Sequence, residues 1–161
     1  MDTIEIPLSQ GKIAIIDATD WELVKDYKWC AHKSGNTYYA VTGIRKPDGK
    51  KILLQMHKLF VDTKLGFVTD HISGDGLDNR RLNLRTVTTA QNGMNRKSQS
   101  NCKNKFKGIC WLPKRKKWYA SIFVEGKHRY LGSFDSPEEG AVAYDTAAKE
   151  HFGEYACLNF P

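Results

Sequence analysis

Asp70 and His71 stand side by side in the stretch TDHISGDGLDNRRLNLR, which runs from Thr69 to Arg85. A carboxylate beside an imidazole can divide one task, the first holding a divalent metal ion while the second handles a proton. Such an ion polarises a phosphate and stabilises the charge that develops on a leaving oxygen. A histidine that titrates at about 6.5 takes a proton from water at neutral pH. A lone Asp-His pair is ordinarily a turn cap beside a surface histidine, so the residues that follow have to decide. SGDGLDN is dense in turn formers, and LNLRTV then alternates as a strand. TTAQNGMN opens a short helix, with a capping box from Thr88 to Gln91. The expected order is strand, loop, strand, helix. Two β segments then present Asp70-His71 and Asn83, and the helix brings Asn92 towards them.

The spacing D-H-x(11)-N-L-R-x(6)-N resembles the HNH endonuclease family, in the phage and intron-homing branch that carries asparagine in place of the last histidine. The match runs from Asp70 to Asn95, and MHKLF ahead of it is also similar to members of that branch. The resemblance implies a ββα-metal fold in which Asp70 and Asn92 hold the metal and His71 is the general base. It further implies that Asn83 orients the His71 ring through a hydrogen bond. A carboxylate and a carboxamide are hard oxygen donors, which suit Mg2+ or Mn2+. Arg80 and Arg85 are candidate phosphate contacts, although at least one arginine of the group Arg80, Arg81 and Arg85 could pair with Asp78 or Asp75 instead. Asp78 and Asn79 are read as loop builders, His57 as structural or phosphate-side, and Asn95 as a weaker candidate than Asn92.

The elements that must carry this motif read as a mixed α+β scaffold over the first part of the chain. IEIPL and KIAIID look like short strands parted by SQGK. ATDWELVKDYKW reads as a helix, with Thr19 as N-cap, Glu22 as its capping-box partner, and Trp21, Leu23, Val24 and Tyr27 as its buried face. TYYAVTGI and KKILLQM flank RKPDG, a hairpin signal with Pro-Asp-Gly at the bend.

The composition changes at Arg96. RKSQSNCKNK is rich in Ser, Asn and Lys and reads as a basic linker over 96–105. Beyond it FKGICWL, KWYASIFV and HRYLGSF look like strands, followed by one helix with Ser136 as N-cap, Pro137 in first place, Glu139 as capping-box partner and Gly153 as the stop. Basic residues crowd the strands and turns, while Asp135, Glu138, Glu139, Asp145 and Glu150 fall on or beside the helix. That division is expected if the sheet meets nucleic acid. FKGICWLPKRKKWYASI, YLGSFDSPEEGAVAYDTAA and the terminal LNF resemble the plant-type Apetala-two/ethylene-response-factor DNA-binding domain, over about Phe106 to Pro161. The resemblance implies a three-stranded sheet laid in a DNA groove. The family's base-reading arginines align with Cys110 and Leu112, so its base specificity does not carry over. The candidate contacts are Trp111, Lys114, Arg115, Lys117, Trp118, Lys127 and Arg129, most of them to phosphate. Trp118 and Tyr119 alternate, and whichever faces the helix belongs to the core.

The totals agree with this outline. The chain has 161 residues, a formal net charge of +7 and an apolar fraction of 40%, which suits a globular protein with a polyanionic partner. Cys30, Cys102, Cys110 and Cys157 are scattered, without the paired spacing of a zinc ribbon. No segment has the apolar length of a membrane span, and the N-terminus lacks the pattern of a signal peptide. The expectation is an α+β protein of the cytoplasm of a bacterial or phage-infected cell. A scaffold with a nuclease motif (residues 1–95, motif 69–95) precedes the linker and a DNA-binding domain at 106–161. The function expected is metal-dependent cleavage of double-stranded DNA, in a homing-type nuclease. A monomer suffices for nicking, and a dimer for a double-strand break. The alternatives are a DNA-binding regulator with an inactive remnant of the motif, and an RNA-binding protein.

Overall fold

The computed structural model describes residues 2–95 and 104–161, so most of the expected linker, 96–103, lies outside the described residues. The chain is α+β, with several small antiparallel sheets and few helices, and it divides into two compact units, Met1–Asn92 and Gly93–Pro161. Among the described residues no helix is long and apolar enough to cross a membrane.

In the first unit β1 (Thr3–Pro7) pairs antiparallel with β2 (Ile13–Asp17). The segment expected to be a helix with Thr19 as N-cap is instead a short 3-10 turn over Ala18–Leu23, preceded by Asp17. Glu22 spends its carboxylate on Lys25, and of the expected apolar face only Val24 is buried, with Trp21, Leu23 and Tyr27 exposed. A second sheet follows, not wholly anticipated. β3 (Cys30–Ser34) flanks the expected hairpin of β4 (Thr37–Arg45) and β5 (Lys51–Gln55), in the order β3-β4-β5. β6 (Phe67–His71) and β7 (Leu84–Thr88) form a two-stranded antiparallel ladder that sets Asp70 opposite Arg85 and His71 opposite Leu84. α1 (Thr89–Met94) comes next. Its capping box is formed as expected, for Thr88 Oγ1 accepts from the Gln91 amide at 3.2 Å and Gln91 Oε1 accepts from the Thr88 amide at 2.9 Å. One core joins these pieces: Ile6, Ala14 and Ile16 from the first hairpin pack with Trp29, Ala40, Met56, Phe60 and Leu84.

The second unit has the three strands and one helix expected of it. β8 (Ile109–Leu112), β9 (Lys117–Val124) and β10 (Lys127–Phe134) form an antiparallel sheet in the order β10-β9-β8, with a bulge between Tyr130 and Gly132. α2 (Pro137–Phe152) starts where Ser136 Oγ accepts from the Glu139 amide, with Pro137 at its first turn and Gly153 at its C-cap. It covers one sheet face: Ile109, Ala120, Ile122 and Val124 pack against Ala141, Tyr144, Ala147 and Ala148. Asp145 is no part of a solvated acidic face. It is buried, accepting from the backbone amides of Asn159 and Phe160 and from the Asn159 side chain, while Asn159 Oδ1 accepts from the Lys107 amide at 2.7 Å. The terminal LNF segment is thereby tied to α2 and to the approach of β8.

Candidate functional site

Asp70 and His71 occupy the last two positions of β6, and both side chains are buried. The loop that follows is held from several sides, because its polar backbone has to be satisfied if it is to lie against the core. The β2 backbone supplies much of this. The Ile15 amide donates to the Leu77 carbonyl at 2.9 Å, and the Asn79 amide donates to the Ile15 carbonyl at 2.8 Å. Asp17 Oδ2 accepts from the Arg81 amide at 2.8 Å, and the Arg81 guanidinium pairs with buried Asp20 at 2.7 Å. From the other side Gly76 donates its amide to Thr37 Oγ1 at 3.0 Å. A Cβ at Gly76 would lie 2.5 Å from the Tyr38 carbonyl oxygen and 2.7 Å from the Tyr39 ring, so the close approach of loop and β4 requires glycine there.

His71 differs from expectation in its partner. Its Nε2–H donates to Asn79 Oδ1 at 3.2 Å. The Asn79 amide group is itself oriented by donation from Nδ2 to the Leu77 carbonyl at 3.1 Å, which turns Oδ1 towards the ring. Asn79 is 1% exposed. Asn83, expected to make this bond, ties the two ends of the loop together instead. Its Oδ1 accepts from the Ser73 amide at 2.9 Å and its Nδ2 donates to the Asp78 carbonyl at 2.7 Å. It sits in a 3-10 turn (Arg81–Asn83) just ahead of β7 rather than on the strand. The physical reason is the path of the loop: pinned to Ile15, it places Asn79 under the imidazole and leaves Asn83 facing the loop backbone.

The imidazole is further boxed in by rings. His57, buried at the 3-10 turn Met56–Leu59, meets His71 edge to face at 5.0 Å between centroids, and Tyr39 of β4 meets both histidines, at 5.7 Å and 5.8 Å. Burial pushes the His71 imidazole below its ordinary value, opposed first by the Asn79 hydrogen bond and then by the Asp70 carboxylate. Burial pushes His57 down further, to about 3, helped by the His71 and Lys58 charges. Two neutral rings are therefore packed at neutral pH. With Nε2 committed to Asn79, the lone pair of His71 resides on Nδ1.

One expected arginine pairing is formed, and another arginine takes a partner not anticipated. The Arg85 side chain is 15% exposed and its Nη2 lies 2.9 Å from Asp70 Oδ2, so it is a half-buried counter-ion to Asp70. Arg80 does pair with Asp78 through two contacts, at 2.8 Å and 2.7 Å, and this guanidinium holds the Asp78 carboxyl below its ordinary value. Asn92 stands half-buried on α1, after the end of β7. Among the described residues no grouping of three or more His, Cys, Asp or Glu side chains could hold a metal ion. A buried carboxylate at Asp70 and a carboxamide at Asn92 are hard oxygen donors, the type that Mg2+ or Mn2+ accepts.

In the second unit the β register sorts the remaining candidates. Trp111 lies opposite Trp118 and the two rings meet at 5.1 Å. Trp118 packs against the core, so both tryptophans belong to the helix side of the sheet and not to its open face. Tyr119 takes the open face, where it stacks on Tyr130. Lys127 and Arg129 oppose Val124 and Ile122, and so also register with the helix side; the Arg129 guanidinium pairs with Glu125 at 2.8 Å. Lys117, opposite Leu112, pairs with Asp135. Lys114 and Arg115 are exposed in the turn between β8 and β9.

The chain matches no protein-family model and no solved structure. It is 32% identical over 91 residues to Protein 3.8 of Escherichia phage T7, covering 56% of this chain and 74% of that protein. It is 32% identical over 74 residues to an AP2/ERF and B3 domain-containing transcription repressor of Arabidopsis thaliana, covering 46% of this chain and 20% of the repressor. Over 156 residues, 93% of this chain and 76% of the other, it is 30% identical to an uncharacterised HNH endonuclease of Acanthamoeba polyphaga mimivirus. A likeness at that level across nearly the whole chain, around a buried Asp-His pair closing one strand of a hairpin, means that the chain belongs to the HNH endonuclease family.

Proposed function

We propose that the chain is a metal-dependent endonuclease that hydrolyses phosphodiester bonds in double-stranded DNA and is brought to its substrate by the C-terminal unit, in the manner of a phage or mobile-element homing nuclease. The observation that carries this reading is His71: a buried, neutral imidazole whose Nε2–H is spent on Asn79, next to an ionisable carboxylate at a strand end. His71 Nδ1 takes a proton from the attacking water. Asn79 and the rings of His57 and Tyr39 hold the imidazole in place while it does so. Asn83 keeps the loop closed beneath it. Asp70 and Asn92 would hold Mg2+ or Mn2+, which when bound supplies Lewis-acid stabilisation of the departing 3′-oxygen. Arg85 orients the Asp70 carboxylate through their ion pair. Arg80, Lys114, Arg115 and Lys117 are the phosphate contacts we assign, the last three on the basic turn and strand of the second unit. The AP2/ERF likeness over part of the chain supports a DNA-binding role for that unit. Incubation with supercoiled plasmid and Mg2+ is expected to produce nicked or linear product, to stop with EDTA, and to stop with His71→Ala. Cleavage that survives His71→Ala refutes the assignment. Binding without cleavage by the wild-type chain across many DNAs points to a regulator built on an inactive nuclease.

A further inference from the structure

The face of the C-terminal sheet turned away from α2 has an unusual chemistry for a basic protein. Opposed residues share a face, and the register sets Cys110 against Tyr119, Leu112 against Lys117, and Phe123 against His128. Phe123 is 56% exposed and Tyr130 58%. A hollow of about 940 Å³ opens beside them, lined by Cys110, Leu112, Pro113, Tyr119 and Tyr130 together with Lys114 and Arg115. A contiguous apolar patch of this kind marks a binding surface.

Its polar groups are the hydroxyls of Tyr119, Ser121, Tyr130 and Ser133 and the His128 imidazole. The Tyr130 hydroxyl is bonded to Ser133 Oγ at 3.0 Å. Lys117 is paired with Asp135, and Arg129, on the other side, with Glu125. No arginine fork stands on the open face of these strands to grip a guanine edge. Cations gather at its border instead, in the Lys114–Lys116 turn, where they complement a phosphate backbone. In the major groove the apolar mark on a base edge is the thymine 5-methyl group, which guanine, adenine and cytosine lack. An unpaired base stacked on an aromatic ring suits the face less well. Tyr119 and Tyr130 already stack on one another, with centroids 5.1 Å apart and planes 25° apart, and Phe123 is met by His128 at 4.9 Å.

We propose that this face selects thymine in duplex DNA, with Leu112, Phe123 and Tyr130 contacting thymine 5-methyl groups while Lys114 and Arg115 hold the flanking phosphates. The inference rests on the reading of the second unit as the DNA-binding module. It is tested by binding of the full chain, in EDTA and at one fixed salt concentration, to alternating poly(dA-dT) and poly(dA-dU) duplexes, which differ only in the methyl group. Single-stranded oligo(dT) serves as a third probe. The expected result is weaker binding to the uracil duplex, by about fourfold for each methyl buried. That difference should collapse in Phe123→Ser and Tyr130→Ser, both at exposed positions outside the core. Tight, equal binding to both duplexes overturns thymine selection but leaves the DNA-binding module standing. Tighter binding to oligo(dT) than to either duplex assigns the face to stacking and overturns it as well. Absence of binding to every probe overturns both this inference and the DNA-binding reading beneath it.

Discussion

Replacing Asn79 by alanine isolates the bond on which the His71 assignment depends. The change removes one acceptor, Oδ1, from a buried imidazole N–H and leaves that donor without a partner in a site where Asn79 is 1% exposed. A buried donor stranded in this way costs about 1–3 kcal/mol. The Leu77 carbonyl, which also accepts from the Ile15 amide, stays satisfied and adds nothing. For a unit of this size the loss lowers the melting temperature by about 4–8 °C per kcal/mol. Chemistry should suffer separately, since a base free to turn forfeits part of the roughly 100- to 10,000-fold that a positioned base contributes. Cleavage by the variant is therefore expected to fall between wild type and His71→Ala. The sharper assay is 15N NMR of the His71 ring in EDTA. Wild type should show Nε2 protonated and Nδ1 unprotonated, and Asn79→Ala a mixture of tautomers. The Asn79 bond also raises the His71 pKa against the effect of burial. In the metal-free protein its removal should lower that pKa further, whereas Asn79→Asp, which places a carboxylate on the same nitrogen, should raise it. A single Nε2–H tautomer and an unmoved pKa in Asn79→Ala would show that the asparagine only fills space.

Three further outcomes follow from the same geometry. His57 titrates at about 3 when folded and near 6.5 when unfolded; as pH drops below 6.5 the unfolded chain binds the proton first, so stability falls, by about 2 kcal/mol at pH 5 from this group alone. Urea unfolding of His57→Phe should show a shallower loss between pH 7 and pH 5, and an identical slope would contradict the burial argument. Gly76→Ala drives a Cβ to 2.5 Å from the Tyr38 carbonyl oxygen, and should destabilise the first unit by about 1–3 kcal/mol in thermal unfolding; an unchanged midpoint would mean that the loop is not held against β4. Asn159→Ala removes the acceptor of the Lys107 amide and the one side-chain donor to buried Asp145, leaving the backbone donor in place, so hydrogen exchange at the Lys107 amide should accelerate at least tenfold, about 1.4 kcal/mol of local protection, and unchanged exchange would refute the tie.

What could be read from residues alone was whatever depends on near neighbours. The Thr88 to Gln91 capping box, the Ser136-Pro137 helix start and the Pro-Asp-Gly bend are local chemistry, and each has its partner within a few positions. The segment around Thr19 and Glu22 misled because a cap signature marks where a helical turn can begin and not how far it runs; with Trp21, Leu23 and Tyr27 exposed, nothing extends it. β3 went unnoticed because CAHKS buries a single residue, Ala31, and so carries no alternating pattern. Spacing alone makes Asn79 a loop builder and Asn83 the partner of His71, since position along the chain cannot say which asparagine lies beneath the ring. That choice is made by Ile15, far away in sequence, through the backbone bonds that set the course of the loop. The open face of the second sheet was likewise beyond reach until the β8–β9 register and the core contact of Trp118 assigned Trp111 and Trp118 to one side and Tyr119 to the other.

The clasp of β2 on the Leu77–Asn79 segment bears on how small the machinery can be made. A fragment opening at Phe67 and ending at Asn95 would contain Asp70, His71, Asn83 and Asn92, and on paper nothing would be missing. Such a peptide would lose the edge that tells its loop where to go, and the imidazole would have no reason to meet Asn79 and not water. The reactive centre is better regarded as a joint between two distant stretches of chain, one bringing the side chains and the other their alignment, so that substitutions in the first hairpin can silence a residue they never touch.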